Sequence, residues 1–240
     1  MRKFTNKSIW LIGASEGLGR EVAKLLNDEG AQLYLSARNE TSLHQMCREM
    51  NNARALPLDV TNADSLNSAF CQIGSLDVLI YNAGAYDPMA CQDWNTEKVL
   101  RMIDVNFNGC VRAIGEVLPN MLTNGSGQIV LIGSLSAYGG LPKAVGYGAS
   151  KAALASLAET MRHDLNNTGI DVQLINPGFI KTRLTAKNNF KMPQLLTATK
   201  AAEHVIKGMR KNNFRYDFPW PFSRIIKLFT NLPDFIRFRF

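Results

Sequence analysis

The chain has 240 residues, of which 46% are hydrophobic and 20% charged, an ordinary globular composition that excludes intrinsic disorder. This length suits one domain with a large core. The net charge is +7, and the four cysteines show no paired spacing, so we expect reduced thiols in a cytoplasmic protein.

The N-terminal segment before the first apolar run lacks the hydrophobic stretch of a signal peptide, so we expect none. Apolar runs also stay well short of the roughly eighteen residues that a membrane-spanning helix needs. The three histidines are scattered without partners at ligand spacing, and we expect no metal site.

Strand-like and helix-like segments alternate along the chain. The strand-like runs cover residues 9–12, 32–36, 53–58, 76–81, 127–132 and 171–176, and amphipathic stretches lie near 18–29, 40–50, 62–72, 95–122 and 147–167. Continuous apolar strands alternating with helices predict a parallel sheet covered on both faces. We therefore predict an α/β fold, a single-domain, doubly wound parallel sheet in three αβα layers (a Rossmann fold), with ligands at the carboxyl ends of the strands.

A glycine-rich turn follows the first strand-like run. It reads Gly13-Ala-Ser15-Glu16-Gly17-Leu18-Gly19 and leads into a helix. Glycines let the backbone turn sharply and approach a pyrophosphate, which the free N–H groups of a helix N-terminus bind. The spacing is GxxxGxG rather than GxGxxG, so by itself the segment is equally well explained as a simple turn in a β-α unit.

A tyrosine, a lysine and a serine form the second motif. Tyr147 and Lys151 stand four residues apart, on one face of a helix, and Ser134 lies thirteen residues before the tyrosine. An ammonium beside a phenol lowers the phenol pKa, so the tyrosine can exchange a proton with an alcohol or carbonyl near neutral pH. Alone, a Tyr and a Lys at this spacing are usually a solvated helix face.

Together these segments resemble the classical short-chain dehydrogenase/reductase family over roughly residues 7–182. The resemblance also rests on motifs after later strands, which are Asp59-Val60, Asn82-Ala83-Gly84, Asn106, and Pro177-Gly178 followed by Ile180 and Thr182. It implies that these residues and the glycine turn bind a nicotinamide dinucleotide. It further implies that Tyr147 is the acid/base, that Lys151 lowers its pKa and binds the nicotinamide ribose, and that Ser134 stabilises the oxyanion.

Three expectations about the site follow from this resemblance. Asn106 kinks its helix and holds a water that reconnects Lys151 to solvent, the alternative being a helix-interior asparagine bonded to the backbone. Ser136 is the alternative to Ser134, but its spacing to Tyr147 departs from the family by two residues. Tyr81 and Ile12 replace an expected asparagine and threonine, so we expect local repacking there.

The end of the second strand indicates the cofactor. It carries Ala37 and Arg38 where an enzyme that prefers NAD would place an acidic residue, and an arginine suits a 2′-phosphate. NADP(H) is therefore favoured over NAD(H), although Glu16 would repel the phosphate. Asp59 is expected to bind the adenine amino group. The alternative is that it caps the helix beginning near Asn62, a role for which Thr61 is better placed.

The expected substrate pocket is apolar and aromatic. Its residues follow the catalytic serine and the fourth strand or belong to a lid at about 179–197, and they include Tyr86, Leu135, Tyr138, Leu141, Phe179 and residues 184–192. This lining predicts a largely apolar carbonyl compound or secondary alcohol. Arg183, Lys187 and Lys191 leave room for an acidic tail.

Two other functions are open alternatives: a non-catalytic dinucleotide-binding regulator, and a nucleotide-sugar epimerase or dehydratase. The first typically lacks the tyrosine or lysine, and the second usually carries a larger C-terminal domain. Small residues in the helix after 147, such as Ala149 and Ala152, predict a homodimer or homotetramer, unless they pack on their own sheet.

The tail differs from the rest of the chain. We assign residues 1–210 to the catalytic domain and 211–240 to a basic aromatic extension. Residues 210–240 hold seven Lys or Arg against two Asp or Glu, and nine of the 21 aromatic residues. This composition suits packing within the protein or between subunits, or contact with the inner membrane surface. Nucleic acid is disfavoured because the rest of the chain is only about +2.

Overall fold

The computed structural model describes residues 1–239, so the terminal Phe240 of the tail lies outside the described part. The strands are β1 (Ser8–Ile12), β2 (Gln32–Ser36), β3 (Ala53–Ala55), β4 (Val78–Tyr81), β5 (Gly127–Ile132), β6 (Ile170–Pro177) and β7 (Arg215–Phe218). They form one parallel sheet in the order β3-β2-β1-β4-β5-β6-β7. The order in which the chain adds strands reverses between β1 and β4, which are parallel neighbours. The predicted doubly wound Rossmann sheet is confirmed.

Helices cover both faces of the sheet. They are α1 (Gly17–Asp28), α2 (Glu40–Arg48), α3 (Ala63–Cys71), α4 (Thr96–Ile103), α5 (Gly109–Asn124), α6 (Val145–Asp164), α7 (Ala198–Met209), α8 (Phe222–Thr230) and α9 (Asp234–Arg237). Because side chains alternate along a strand, Trp10 packs in the core beneath α3, α5 and α6, while Leu11 packs in the core beneath α1, α2 and α7. Both predicted helical layers are therefore present.

Side-chain caps set the beginnings of four of the nine helices within residues 1–239. Asn39, Asn62, Asn95 and Thr197 each accept a hydrogen bond from the backbone N–H three residues further on. The cap of α3 is therefore Asn62, and neither Asp59 nor Thr61 has that role. Asp59 instead accepts hydrogen bonds from the Thr61 N–H at 2.9 Å and the Thr61 hydroxyl at 2.8 Å, which shape the turn after β3.

The predicted helix over 95–122 is interrupted. A π-helical turn at Asp104–Asn108 separates α4 from α5, and it contains Asn106. The predicted strand over 53–58 is also shorter, since only Ala53–Ala55 pair regularly with β2. π-Helical turns such as Asp104–Asn108 are rare overall, and those that are observed lie frequently at functional sites.

The tail begins as part of the sheet. Arg215–Phe218, which the sequence analysis places in an extension, is the seventh strand and pairs with β6 from Leu174 to Pro177. Phe218 is fully buried, and α8 packs on the turn at Leu135–Tyr138. No helix within residues 1–239 combines the length and hydropathy needed to cross a bilayer.

Candidate active site

The predicted site residues meet at one edge of the sheet. Each set follows the carboxyl end of a strand: Gly13 after β1, Arg38 after β2, Asp59 after β3, Asn82 after β4 and Ser134 after β5, with Pro177 ending β6. Because all seven strands are parallel, these ends share an edge, and the crevice where the strand order reverses lies between β1 and β4. The sequence motifs therefore form one site.

The glycine turn is packed too closely for side chains. Gly13 has φ +92°, and a Cβ there would lie 2.5 Å from the backbone nitrogen of Ala83. A Cβ on Gly19 would lie 2.0 Å from the Gly13 carbonyl oxygen, and Gly17 has φ +54°. Each glycine is thus required by its geometry, and the turn brings backbone and helix start together as a pyrophosphate site needs.

The start of α1 is left open for an anion. Its N-cap residue, Glu16, makes no side-chain cap, so the first N–H groups of the helix keep their hydrogen-bonding capacity. The Asn82 side chain fixes the turn by donating a 2.7 Å hydrogen bond to the Gly13 carbonyl oxygen. Thr182 packs over the turn, since its Cγ2 would lie 3.1 Å from a Cβ on Gly17. These residues fit the phosphates of a dinucleotide.

The adenosine end of the crevice offers an exposed cation. Arg38 is exposed, and it forms none of the ion pairs found among residues 1–239. Asn39 next to it is fixed as the cap of α2, and the Ser42 hydroxyl donates to the Ser15 carbonyl oxygen at 3.3 Å. The chain next to Arg38 is therefore fixed near the glycine turn, and the exposed guanidinium is available to an anionic ligand.

Glu16 does not carry a free negative charge. The Arg183 guanidinium donates two hydrogen bonds to its Oε1, at 2.6 and 3.0 Å. This ion pair links the lid to the glycine turn. It also offsets the repulsion between the Glu16 carboxylate and a cofactor phosphate, which the sequence analysis expects. Both side chains are more than half exposed, so solvent weakens the pair.

The Lys151 side chain is buried against β5. It is only 4% exposed, and its ammonium donates a 2.8 Å hydrogen bond to the carbonyl oxygen of Ile132. Burial lowers the pKa of Lys151 to about 8, and the buried thiol of Cys110 acts weakly in the opposite direction. The ammonium lies 5.9 Å from the centre of the Tyr147 ring.

The pKa of Tyr147 differs from the sequence-based expectation. Burial raises the pKa of the Tyr147 hydroxyl above its usual value, and the proximity of Tyr86 raises it further, while the Ser134 side chain lowers it. Lys151 is not among the groups that shift it. Desolvation of the phenol is therefore the dominant influence on this pKa, and the ammonium 5.9 Å from the ring centre does not lower it. A proton-carrying Tyr147 is the form suited to donating a proton.

Two serines form a hydrogen-bonded pair beside this tyrosine. The Ser136 hydroxyl donates to Ser134 Oγ at 2.9 Å, and the Ser136 N–H donates to the same oxygen at 3.1 Å. Ser134 Oγ accepts both bonds, so its own proton remains available to a substrate oxygen. Ser136 therefore orients the Ser134 side chain, and Ser134 stays the predicted oxyanion-stabilising serine.

Asn106 lies at the centre of a buried network. It is fully buried; its Oδ1 accepts from the Ala85 N–H at 2.6 Å and its Nδ2 donates to the Ala85 carbonyl at 3.0 Å. Nδ2 also donates to Ser150 Oγ at 2.9 Å, and the Ser150 hydroxyl donates to the Tyr147 carbonyl at 2.8 Å. Asn106 therefore joins the loop after β4 to α6. The sequence analysis missed Ser150, which stands beside Lys151 in the sequence.

The lid is tied to the loop after β4 by an acidic residue that the sequence analysis also missed. Asp87 accepts from the Lys187 ammonium at 2.6 Å and from Arg101 at 2.8 Å. Burial alone would raise the pKa of Asp87, but these two hydrogen bonds outweigh it and the pKa is lowered. Lys187 also donates to the Tyr86 carbonyl at 2.7 Å. Lys187 and Arg183 are thus engaged in ion pairs, whereas Lys191 forms none within residues 1–239.

Aromatic contacts occur at Tyr147 and in the lid. The Tyr86 ring meets the Tyr147 ring edge to face at 4.9 Å, and its hydroxyl donates to Asn188 of the lid at 2.7 Å. Phe179 contacts Phe190 and Phe222, each at 5.7 Å between ring centres. No cluster of three or more His, Cys, Asp or Glu side chains among residues 1–239 is arranged to hold a metal ion. The arrangement suits proton transfer to an apolar substrate.

Comparison with known proteins shows the family and the fold of this chain. A family model described as short chain dehydrogenase matches residues 7–193. An uncharacterized oxidoreductase of Myxococcus xanthus is 33% identical, and the alignment covers 98% of this chain and 96% of the relative. An uncharacterized oxidoreductase of Staphylococcus epidermidis is 31% identical, and the alignment covers 87% of this chain and 93% of the relative. A short chain dehydrogenase of Burkholderia cenocepacia J2315, solved in complex with NADP, aligns with a TM-score of 0.86, covering 95% of this chain and 93% of that one at 22% identity. At 22% identity, the similarity to the Burkholderia structure shows a shared fold and nothing more.

Proposed function

Since the chain belongs to the short-chain dehydrogenase family and is an NAD(P)-dependent oxidoreductase, we propose that it interconverts a carbonyl and a secondary alcohol on a small, largely apolar substrate, with NADP(H) as the cofactor. The observation that carries this proposal is the meeting of Tyr147, Ser134 and Lys151 at the carboxyl end of β5. These are the groups that a hydride transfer to a carbonyl requires around the substrate oxygen.

The chain itself supplies the proton and the polar contacts. The nicotinamide, when bound, supplies or accepts the hydride. Tyr147 gives its proton to the carbonyl oxygen during reduction, and Ser134 donates a hydrogen bond to the same oxygen as charge develops on it. Lys151 has a pKa of about 8, so near neutral pH it holds and passes on a proton. Asn106 and Ser150 position α6, which carries both residues.

Arg38 and the glycine turn support the choice of NADP(H). The Arg38 guanidinium is exposed at the end of β2, and a 2′-phosphate placed there gains a charge-assisted contact. The Glu16 carboxylate, which would oppose that phosphate, is paired with Arg183. The solved Burkholderia relative in fold also binds NADP.

The character of the lid supports an apolar substrate. The Tyr86 ring lies against the Tyr147 ring, the lid residue Phe179 contacts Phe190, and two of the three lid cations are engaged by Glu16 and Asp87. A substrate bound there meets apolar surface with few free charges.

An exposed strip of small residues supports a homo-oligomer. Ala149, Ala152 and Ser156 lie on the exposed side of α6, away from the sheet, so they do not pack on it. Leu100 on α4 and Val111 on α5 are also exposed, at 59% and 44%. Small side chains on a helix allow close approach of a second copy across a twofold axis.

The test is a panel of aldehydes, ketones and alcohols with both cofactors, followed by the absorbance of the reduced nicotinamide. Tyr147→Phe keeps the ring and removes the proton, so turnover should fall by a factor of about 100 or more while NADPH still binds. Tyr34→Phe, which removes a hydroxyl that only accepts a bond from the Gln32 side chain, is the matched control and should retain most activity. Full activity of Tyr147→Phe would refute the proposed mechanism.

A further inference from the structure

The outer side of the tail exposes large apolar side chains. Among residues 1–239, the four most exposed after Met1 are Trp220 at 72%, Phe238 at 71%, Phe235 at 70% and Leu228 at 69%, and Ile225 is 59% exposed. Ile225 and Leu228 are three residues apart on α8 and share a helix face, while Phe235 lies on α9 and Phe238 directly follows the last residue of α9. We call these five side chains the tail patch.

The inner side of the same segment is packed against the protein. Phe218 and Ser223 are buried, the Phe222 ring lies 5.7 Å from the Phe179 ring, and Lys227 pairs with Asp217. The segment is therefore held in place with its apolar outer residues facing solvent. Internal packing accounts for one side of the tail and leaves the tail patch without a partner among residues 1–239.

Basic side chains accompany the tail patch. Arg224 stands four residues before Leu228 and Arg239 four residues after Phe235, and both are exposed. Neither forms an ion pair within residues 1–239, whereas Lys227, Arg215 and Arg210 are paired. Over residues 210–240 the net charge is +5. Aromatic and aliphatic groups interleaved with free guanidinium groups match a surface that offers both apolar depth and negative charge.

We propose that the tail patch docks the protein on an anionic lipid bilayer surface. Its rings and aliphatic side chains enter the interface, and Arg224 and Arg239 meet lipid phosphates. A second copy of the chain fits less well, because a twofold contact would bring two patches of like charge together.

The position of the tail patch gives this docking a consequence for the enzyme. The Pro219 ring packs on Gly178, and α8 packs on the turn at Leu135–Tyr138 that follows Ser134. The patch therefore lies on the segment that borders the expected substrate site. An apolar substrate dissolved in the bilayer would be taken up from the surface to which the enzyme is bound.

The test is cosedimentation of the full chain with vesicles of phosphatidylcholine alone and of phosphatidylcholine with phosphatidylglycerol. Point variants are needed because removing residues 215–240 would also remove β7. Ile225→Ser with Leu228→Ser removes apolar contact, and its matched control is Trp94→Ser with Leu122→Ser, exposed apolar residues elsewhere. Arg224→Glu with Arg239→Glu reverses the charge, and Arg48→Glu with Lys200→Glu is its control, changing net charge equally at exposed sites outside the tail.

The unmodified protein should sediment with the anionic vesicles and much less with the neutral ones, and added salt should release it. Both tail variants should lower the bound fraction by a factor of about ten or more, while both controls bind normally. Thermal melting checks that each variant is folded. Absence of binding to anionic vesicles by the unmodified protein would overturn the proposal. If instead Ile225→Ser with Leu228→Ser changes the oligomeric state in light scattering, the patch contacts a second copy.

Discussion

The Tyr81 hydroxyl donates a 2.6 Å hydrogen bond to the backbone carbonyl oxygen of Val105. Tyr81 ends β4 and is fully buried, while Val105 lies in the π-helical turn that contains Asn106. The bond therefore joins the end of a central strand to the interruption between α4 and α5. It also explains the departure from the family pattern at position 81, because the larger phenol reaches a carbonyl that an asparagine at this strand position would not reach.

Tyr81→Phe should destabilise the protein by about 1 to 3 kcal/mol, because the part-buried Val105 carbonyl loses its donor while the ring still fills its space. For a chain of this size that corresponds to a fall in Tm of several degrees. Tyr34→Phe is the control, since its hydroxyl only accepts a bond from the exposed Gln32 side chain. Equal melting temperatures for Tyr81→Phe and Tyr34→Phe would contradict the importance of this contact.

Lys151 predicts a pH dependence of stability. Its folded pKa of about 8 lies below the unfolded value of 10.5, so between these values the unfolded chain binds more protons and stability rises with pH. Between pH 8 and 10, the free energy of unfolding of the unmodified protein should rise, relative to that of Lys151→Met, by up to about 1.4 kcal/mol per pH unit. Urea unfolding at several pH values measures this difference, with Lys98→Met as the control for the change in net charge. A constant difference across the window would show that Lys151 is not desolvated in the folded protein.

The sequence predicted most strands and the positions of the site motifs, but it did not predict β7 or the long-range ion pairs. The five inner strands are largely apolar runs, and the site motifs follow them directly, so chain order alone placed Gly13, Asn82 and Ser134 at one edge. The seventh strand was missed because Arg215-Tyr-Asp-Phe218 is a short edge strand with only Phe218 buried. Pairs such as Glu16 with Arg183 were missed because the two residues are 167 positions apart, and no local pattern brings them together.

Asp87 should control the closure of the lid. Asp87→Asn removes the charge that holds both Lys187 and Arg101, so the lid should open more readily and the KM for substrate should rise by a factor of about 3 to 30, with a smaller effect on turnover. Asp93→Asn is the control, because Asp93 is exposed and forms no ion pair within the described chain. Limited proteolysis should cut the Asp87→Asn lid over residues 184–192 faster than the control. Unchanged cleavage and unchanged KM would show that the lid is held by its aromatic contacts alone.

The Glu16–Arg183 pair should tune cofactor choice together with Arg38. Arg38→Ala should reduce the preference for NADPH over NADH by about 1 to 3 kcal/mol, the range of a charged hydrogen bond. Arg183→Ala frees the Glu16 carboxylate near the same phosphate, and it should lower the preference by at most about 1 kcal/mol because both side chains are largely exposed. Adding Glu16→Gln to Arg183→Ala should restore the preference, whereas Glu16→Gln alone should change it little. The unmodified protein, Arg183→Ala, Glu16→Gln and the double variant form a double-mutant cycle. Calorimetry measures the dissociation constants of both cofactors for each of them. If Arg183→Ala weakens NADH and NADPH equally, and Glu16→Gln rescues neither, then Arg183 acts on the lid and not on the 2′-phosphate.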